Sequence, residues 1–314
     1  MNTKKIYTII ENFIYSFHMP LFFIISGYFF KQRDNKTCIK NILKKLIVPY
    51  VITCITIIVY KVFRLLIDEN FVEISNTIKV WGLASLYGSG SRECFGIRFI
   101  GAIWFLLALG IATYIMNLIY NQKYRYIWVL LIAYVGYKTS NYIWLPFSIQ
   151  AGMVALLYLY IGVIVKEKDI LNIKFSIIVY IFLVFIIIFC TIYCGKLYMV
   201  SNYYENGIMD VIGGISGTII CIKISILIDK YLKVTKKILI YIGKNSLLCM
   251  CIHLFSLDCL NWTTLHKLFL SLGIERQDIR NTIINMTFVL IILLFIKMVQ
   301  IILKKLKEKL IMIS

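Results

Sequence analysis

Nine apolar stretches separated by short polar connectors constrain this chain more than any other feature. They run over 13–30, 42–66, 99–120, 126–137, 143–165, 173–194, 208–228, 238–260 and 282–303, spans A to I in chain order. A helix needs about 20 apolar residues to cross the hydrocarbon of a bilayer. All the stretches approach or exceed that length except span D (126–137), which is short. Inside lipid each segment must satisfy its own backbone polar groups, so such runs fold as helices. The expected fold is all-α, a polytopic membrane helix bundle of about nine spans forming one integral membrane domain over 1–314. Composition agrees: 61% of the residues are hydrophobic, against about 45–50% in soluble domains.

The charges follow the spans. After A come Lys31, Arg33, Lys36, Lys40, Lys44 and Lys45 with one acid, Asp34. Lys123 and Arg125 follow C, Lys166, Lys168 and Lys174 follow E, and Lys230, Lys233, Lys236 and Lys237 follow G. Lys304, Lys305, Lys307 and Lys309 follow I. The connectors between are poor or mixed in charge: Asp68, Glu69, Glu73, Lys79, Arg92 and Arg98 after B, Lys138 after D, Lys196 and Glu205 after F. The positive-inside rule puts the rich connectors and the C-terminus in the cytoplasm. The net charge of +19 is therefore a topology signal. Nucleic acid is not an expected partner, because no soluble module carries a basic face with interleaved aromatics. The expected partner is the lipid bilayer. Nine cysteines without a Cys-x-x-Cys pair, and three histidines, give no metal-site pattern. Nothing in the sequence sets an oligomeric state.

With nine spans and the C-terminus inside, the N-terminus lies outside, and Lys4 and Lys5 have to cross without a signal peptide. One more span ahead of Met1 would remove the conflict. The segment 67–97 is the one sizeable extracytoplasmic loop. A short helix is expected near 74–83, and Ser-Leu-Tyr-Gly-Ser-Gly-Ser follows at 85–91, placed to cap a site.

Span A contains Ser-Phe-His-Met-Pro-Leu-Phe-Phe-Ile-Ile-Ser-Gly-Tyr-Phe-Phe at 16–30. An ionisable group in a membrane span usually faces the protein interior and serves a function. Pro20 removes a backbone donor and is expected to bend the helix near His18. His18 lies roughly 8 Å from the outer end of its span and His253 roughly 10 Å from the outer end of span H, at 1.5 Å per residue. Asp210, Arg98 and Trp104 begin spans on the same side. A histidine is the usual proton carrier near neutral pH. Plainer explanations stand beside each residue. A membrane histidine can simply bond a neighbouring helix, and Gly213, Gly214 and Gly217 can serve close packing. Trp104 can be an interfacial belt residue, and Lys44 and Lys45 a topology signal.

Phe17-His18-Met19-Pro20-Leu21-Phe22-Phe23-Ile24-Ile25-Ser26-Gly27-Tyr28 closely resembles the signature of the membrane acyltransferase 3 family, nearest its fucose 4-O-acetylase-like and intercellular adhesin O-acyltransferase-like branch. Three further motifs follow in family order: Lys44-Lys45-Leu46-Ile47-Val48-Pro49-Tyr50, Trp104-Phe105-Leu106-Leu107-Ala108-Leu109, and Gly243-Lys244-Asn245-Ser246 with His253. The resemblance implies about ten membrane helices, the first lying ahead of Met1 and carrying a Gly-His pair. It implies O-acetylation: transfer of an acyl group, commonly acetyl from acetyl-CoA, to a hydroxyl of a glycan or lipid-linked sugar. That is polysaccharide modification in a bacterial cell envelope, by an enzyme of the inner membrane. On this resemblance His18 is the base or its orienting partner. Trp104, Ser246 and His253 line the acceptor, and Lys44 and Lys45 hold the donor phosphates. Many relatives carry arginine at the basic pair, and lysine binds phosphate as a point charge instead of a fork.

Two other classes fit a polytopic chain with buried polar residues. One is a small-molecule or polysaccharide transporter, which commonly shows an internal repeat that this sequence lacks. The other is a truncated, inactive member of the family.

Overall fold

A computed structural model describes residues 3–311 except 174, with side chains described over 6–298 apart from 174 and 278. Lys4, Lys5, Lys174 and the lysines at 304–309, which enter the charge argument, lie outside the described side chains. The described chain is 80% helical with no strands. In order the helices are α1 (Thr3–Tyr28), α2 (Asn35–Ile42), α3 (Val48–Ile67), α4 (Val72–Tyr87), α5 (Trp104–Ile119), α6 (Arg125–Thr139), α7 (Ile149–Glu167), α8 (Ile177–Phe189), α9 (Ile208–Tyr231), α10 (Lys233–Lys244), α11 (Ser246–Cys259), α12 (Thr263–Ser271) and α13 (Gln277–Ile311).

Seven described stretches are long and apolar enough to cross a membrane: Ile6–Tyr28, Asn35–Ile67, Gly101–Ile119, Pro146–Glu167, Ile177–Cys194, Ile208–Tyr231 and Ile279–Met298. They correspond to spans A, B, C, E, F, G and I. Span H becomes the pair α10–α11, bent by 68°, which makes an eighth if counted as one span. The described residues thus give seven or eight candidate spans by length and composition, beside the about nine expected. Span D forms α6, whose 15 residues reach about 22 Å at 1.5 Å per residue, short of the roughly 30 Å hydrocarbon.

Two prolines act locally. Pro20 sits inside α1, which runs through it without a break. Pro49 follows a π-helical turn, Leu43–Ile47, closed by the Val48 N–H donating to Leu43 O. Proline cannot donate to the carbonyl four residues back and its ring crowds that carbonyl. Widening the preceding turn by one residue relieves the clash. Asp34 caps α2, accepting the Thr37 N–H at 2.8 Å, and this hydrogen bond holds its carboxyl below the usual carboxylate range.

The chain divides into two compact units, 1–54 with 78–236, and 55–77 with 237–314. In the first, α1, α5 and α6 all pack against α7, and α9 packs against α1 and α8. Small residues make these crossings possible. A Cβ at Gly162 of α7 would lie 1.9 Å from Ile24 O of α1, and one at Gly27 would lie 1.9 Å from Leu159 O. The outer stripe of α8 stays apolar and exposed, with Ile177, Ile181, Phe182 and Phe185 each above 60%, as suits a lipid-facing helix. In the second unit α11 and α12 pack on α13. Its buried polar contact is Ser256 Oγ donating to Asn285 Oδ1 at 2.5 Å, and Tyr241 O–H donates to Leu293 O at 2.8 Å.

The loop helix is longer than expected, Val72–Tyr87 instead of 74–83. The stretch after it folds inward: Ser89 and Gly90 are buried, and Ser148 Oγ donates to Gly88 O at 2.6 Å.

Candidate functional site

The first unit has two chemically different ends. At one, Asn117 of α5 accepts the Arg33 N–H and donates to Arg33 O and Asn35 Oδ1, each at 3.0 Å. Arg125 pairs with Glu167, whose other oxygen accepts Tyr120 O–H at 3.0 Å. Lys166 Nζ donates to Phe30 O at 3.2 Å. The lysine-rich connectors after spans A, C and E therefore meet at one end, as the charge alternation requires. At the other end Lys196 pairs with Glu11 at 2.7 Å, Tyr87 O–H donates to Trp144 O, and Arg92 Nη1 donates to Ser140 O at 2.7 Å. Asn202 Nδ2, in the connector after F, donates to Gly136 O near the end of α6 at 3.4 Å, so the connectors after spans B, D and F gather at this end with the first half of α1. Short as it is, α6 links the ends, with Arg125 at one and Ser140 at the other.

The His18 motif is built on α1 by packing on two sides. Pro20 meets α9 at Gly214, where a Cβ would come 2.8 Å from the ring, and Phe17 meets Gly217 in the same way at 2.6 Å. The glycines of span G thus serve close packing. Phe22 and Phe23 lie against Phe105 of α5, with centroids 5.8 and 4.9 Å away. The structure therefore brings together the first and third motifs of the resemblance. His18 itself belongs to a different row of α1, with Ile14, Phe22 and Ile25 at one-turn spacing, all exposed. It is partly buried, and its Nδ1 lies 3.0 Å from Ile14 O. A carbonyl oxygen can only accept, so Nδ1 carries the proton and a neutral ring keeps its lone pair on Nε2. The Tyr15 ring stands edge-on at 5.0 Å.

Trp104 opens α5 and is buried, with its ring beneath Gly90, where a Cβ would come 2.5 Å from it. Lys44 and Lys45 are exposed on the π turn before Pro49. That turn rests on α5 through Ile42 and Leu46, which face Gly110. Ser246 and His253 belong to the second unit. Seven residues apart on α11, they share a helix face. Ser246 is exposed, His253 partly buried, and Asn245 at the bend donates to Tyr241 O at 2.8 Å. No group of three His, Cys, Asp or Glu among the described residues could hold a metal ion.

Two polar anchors escaped the sequence reading. Asn117, buried inside an apolar helix, could have been found as the lone amide of span C. Asn206 holds Asp210, its backbone and side-chain N–H groups donating to the carboxylate at 3.0 and 3.2 Å. Asn206 lies in a loop and carries no such signal.

These features define a polytopic helical membrane protein with a lysine-rich end and a histidine on a stripe of α1 that α7 and α9 leave uncovered. A sequence model of the family described as an acyltransferase domain, the acyltransferase 3 family, matches residues 2–301. The chain belongs to that family, and the match runs through both units. Searches of curated proteins and of solved structures found no match.

Proposed function

We propose that this membrane acyltransferase moves an acetyl group from acetyl-CoA to a hydroxyl of a cell-surface polysaccharide or lipid-linked sugar in a bacterial inner membrane. The observation that carries this reading is the 3.0 Å contact between His18 Nδ1 and Ile14 O: with Nδ1 as the donor, Nε2 is left to accept a proton on the stripe of α1 that α7 and α9 leave uncovered. The acceptor O–H gives its proton to Nε2, its oxygen attacks the thioester carbonyl, and the C–S bond breaks. The CoA thiolate leaves and takes up the proton. Lys44 and Lys45 hold the phosphates of acetyl-CoA from the lysine-rich end. Trp104 acts on the acceptor through the 85–91 segment that it supports. Ser246 and His253 supply a polar face on α11 within the second unit.

The test is direct. Purified protein in detergent is incubated with acetyl-labelled acetyl-CoA and a saccharide acceptor. The expected result is label on the saccharide as a base-labile ester. Replacing Lys44 and Lys45 with alanine should raise KM for acetyl-CoA about tenfold or more, as expected for losing charge-assisted hydrogen bonds of about 1.5–3 kcal/mol. Absence of transfer, with the protein folded and the donor intact, would contradict the reading.

A further inference from the structure

The end of the first unit opposite the lysine-rich one holds a groove that acyl transfer from CoA does not call on. It encloses about 360 Å³ between residues 92–95 and 140–144, within the roughly 300–1,000 Å³ typical of small-ligand sites. The groove is built, not incidental. Trp144 is buried in it, and the Arg92 guanidinium lies over the indole at 5.4 Å. Arg92 is held there by Ser140 O at 2.7 Å, and Tyr87 fixes the Trp144 carbonyl. The Trp144 indole N–H is buried and has no acceptor. Around the rim Glu93 and Asn141 are exposed, and two aromatic rings stand out, Phe95 at 79% and Tyr142 at 89% exposure.

We propose that this groove binds a saccharide segment of the acceptor, an assignment that rests on the acyltransferase reading above. A sugar presents hydroxyls that both donate and accept, next to apolar C–H faces. The groove offers the complement: a guanidinium donor, a carboxylate acceptor, an amide that does both, and aromatic rings whose faces suit C–H groups. One arginine against one glutamate leaves no net charge to hold a polyphosphate, whose natural place is the lysine-rich end. The polar lining equally disfavours a lipid chain. The positive-inside rule puts this end outside the cytoplasm, where surface glycans lie.

The experiment measures binding without acetyl-CoA. Maltotetraose, cellotetraose and chitotetraose are titrated against the full chain in detergent, by calorimetry and by saturation-transfer NMR. At least one should bind. Glu93→Gln, Asn141→Ala and Tyr142→Ala should each weaken that binding about tenfold, equivalent to 1.4 kcal/mol, with the melting temperature unmoved. In the labelled-acetyl assay the same variants should raise KM for the saccharide by a similar factor. If none of the three binds, or if the variants bind as the parent does, the groove is not a saccharide site and its aromatics are interfacial anchors. Saccharide binding lost in the variants without any acetyl transfer would overturn the acyltransferase reading and leave the groove standing. Transfer that persists with unchanged saccharide binding in the variants would do the reverse.

Discussion

The Asn117 carboxamide, buried near the last turn of α5, makes three hydrogen bonds to the start of the lysine-rich connector. Asn117→Leu keeps the volume but leaves the Arg33 and Asn35 groups to find water. We expect a loss of about 1–3 kcal/mol, read as a lower melting temperature in detergent. The Lys196–Glu11 pair makes a pH prediction. Burial pushes the Lys196 ammonium down, but its hydrogen bond to Glu11 and the nearby tyrosines outweigh this and raise its pKa above 10.5. A base raised on folding stabilises the fold below its unfolded pKa and loses that contribution as pH rises through the folded one. Parent and Lys196→Met should therefore differ in thermal stability at pH 8 and converge as pH rises through the raised pKa of Lys196.

At the scale of the element, the α1–α7 crossing is the tightest joint in the first unit. Gly162→Val would drive a side chain into Ile24 O, which is backbone and cannot rotate away. Overpacking of this kind costs about 1–3 kcal/mol or more, and thermal unfolding of the variant reads it. The crossing was not legible in the sequence, because Gly162 and Ile24 are 138 residues apart and no local pattern links them. What was legible is what depends on composition along the chain. Spans A, B, C, E, F, G and I reappear as continuous apolar runs, and H as a bent pair. Span D was given its standing by charge alternation. The helix α6 does run from Arg125 at one end to Ser140 at the other, yet its length falls short of a full crossing. Pro20, expected to bend α1, lies inside one continuous helix with its ring against Gly214 of α9.

For the whole molecule, the meeting of the lysine-rich connectors at one end makes a topology prediction. In sealed vesicles an impermeant maleimide should label Lys168→Cys from one side and Tyr142→Cys from the other, above the background of the native cysteines. Labelling of both from one side would contradict the positive-inside assignment. The candidate site was legible only in part. His18 stood out as an ionisable group in an apolar run. Its tautomer, the uncovered stripe it belongs to and the burial of Trp104 under Gly90 emerge only from packing.

The most direct measurement is acetyl transfer by His18→Ala and His18→Gln beside the parent, in purified and thermally characterised protein. The account predicts that both variants insert and melt close to the parent, yet lose at least the ~10²-fold that a general base contributes. Transfer at the parental rate by either variant would remove His18 from the reaction and contradict the account.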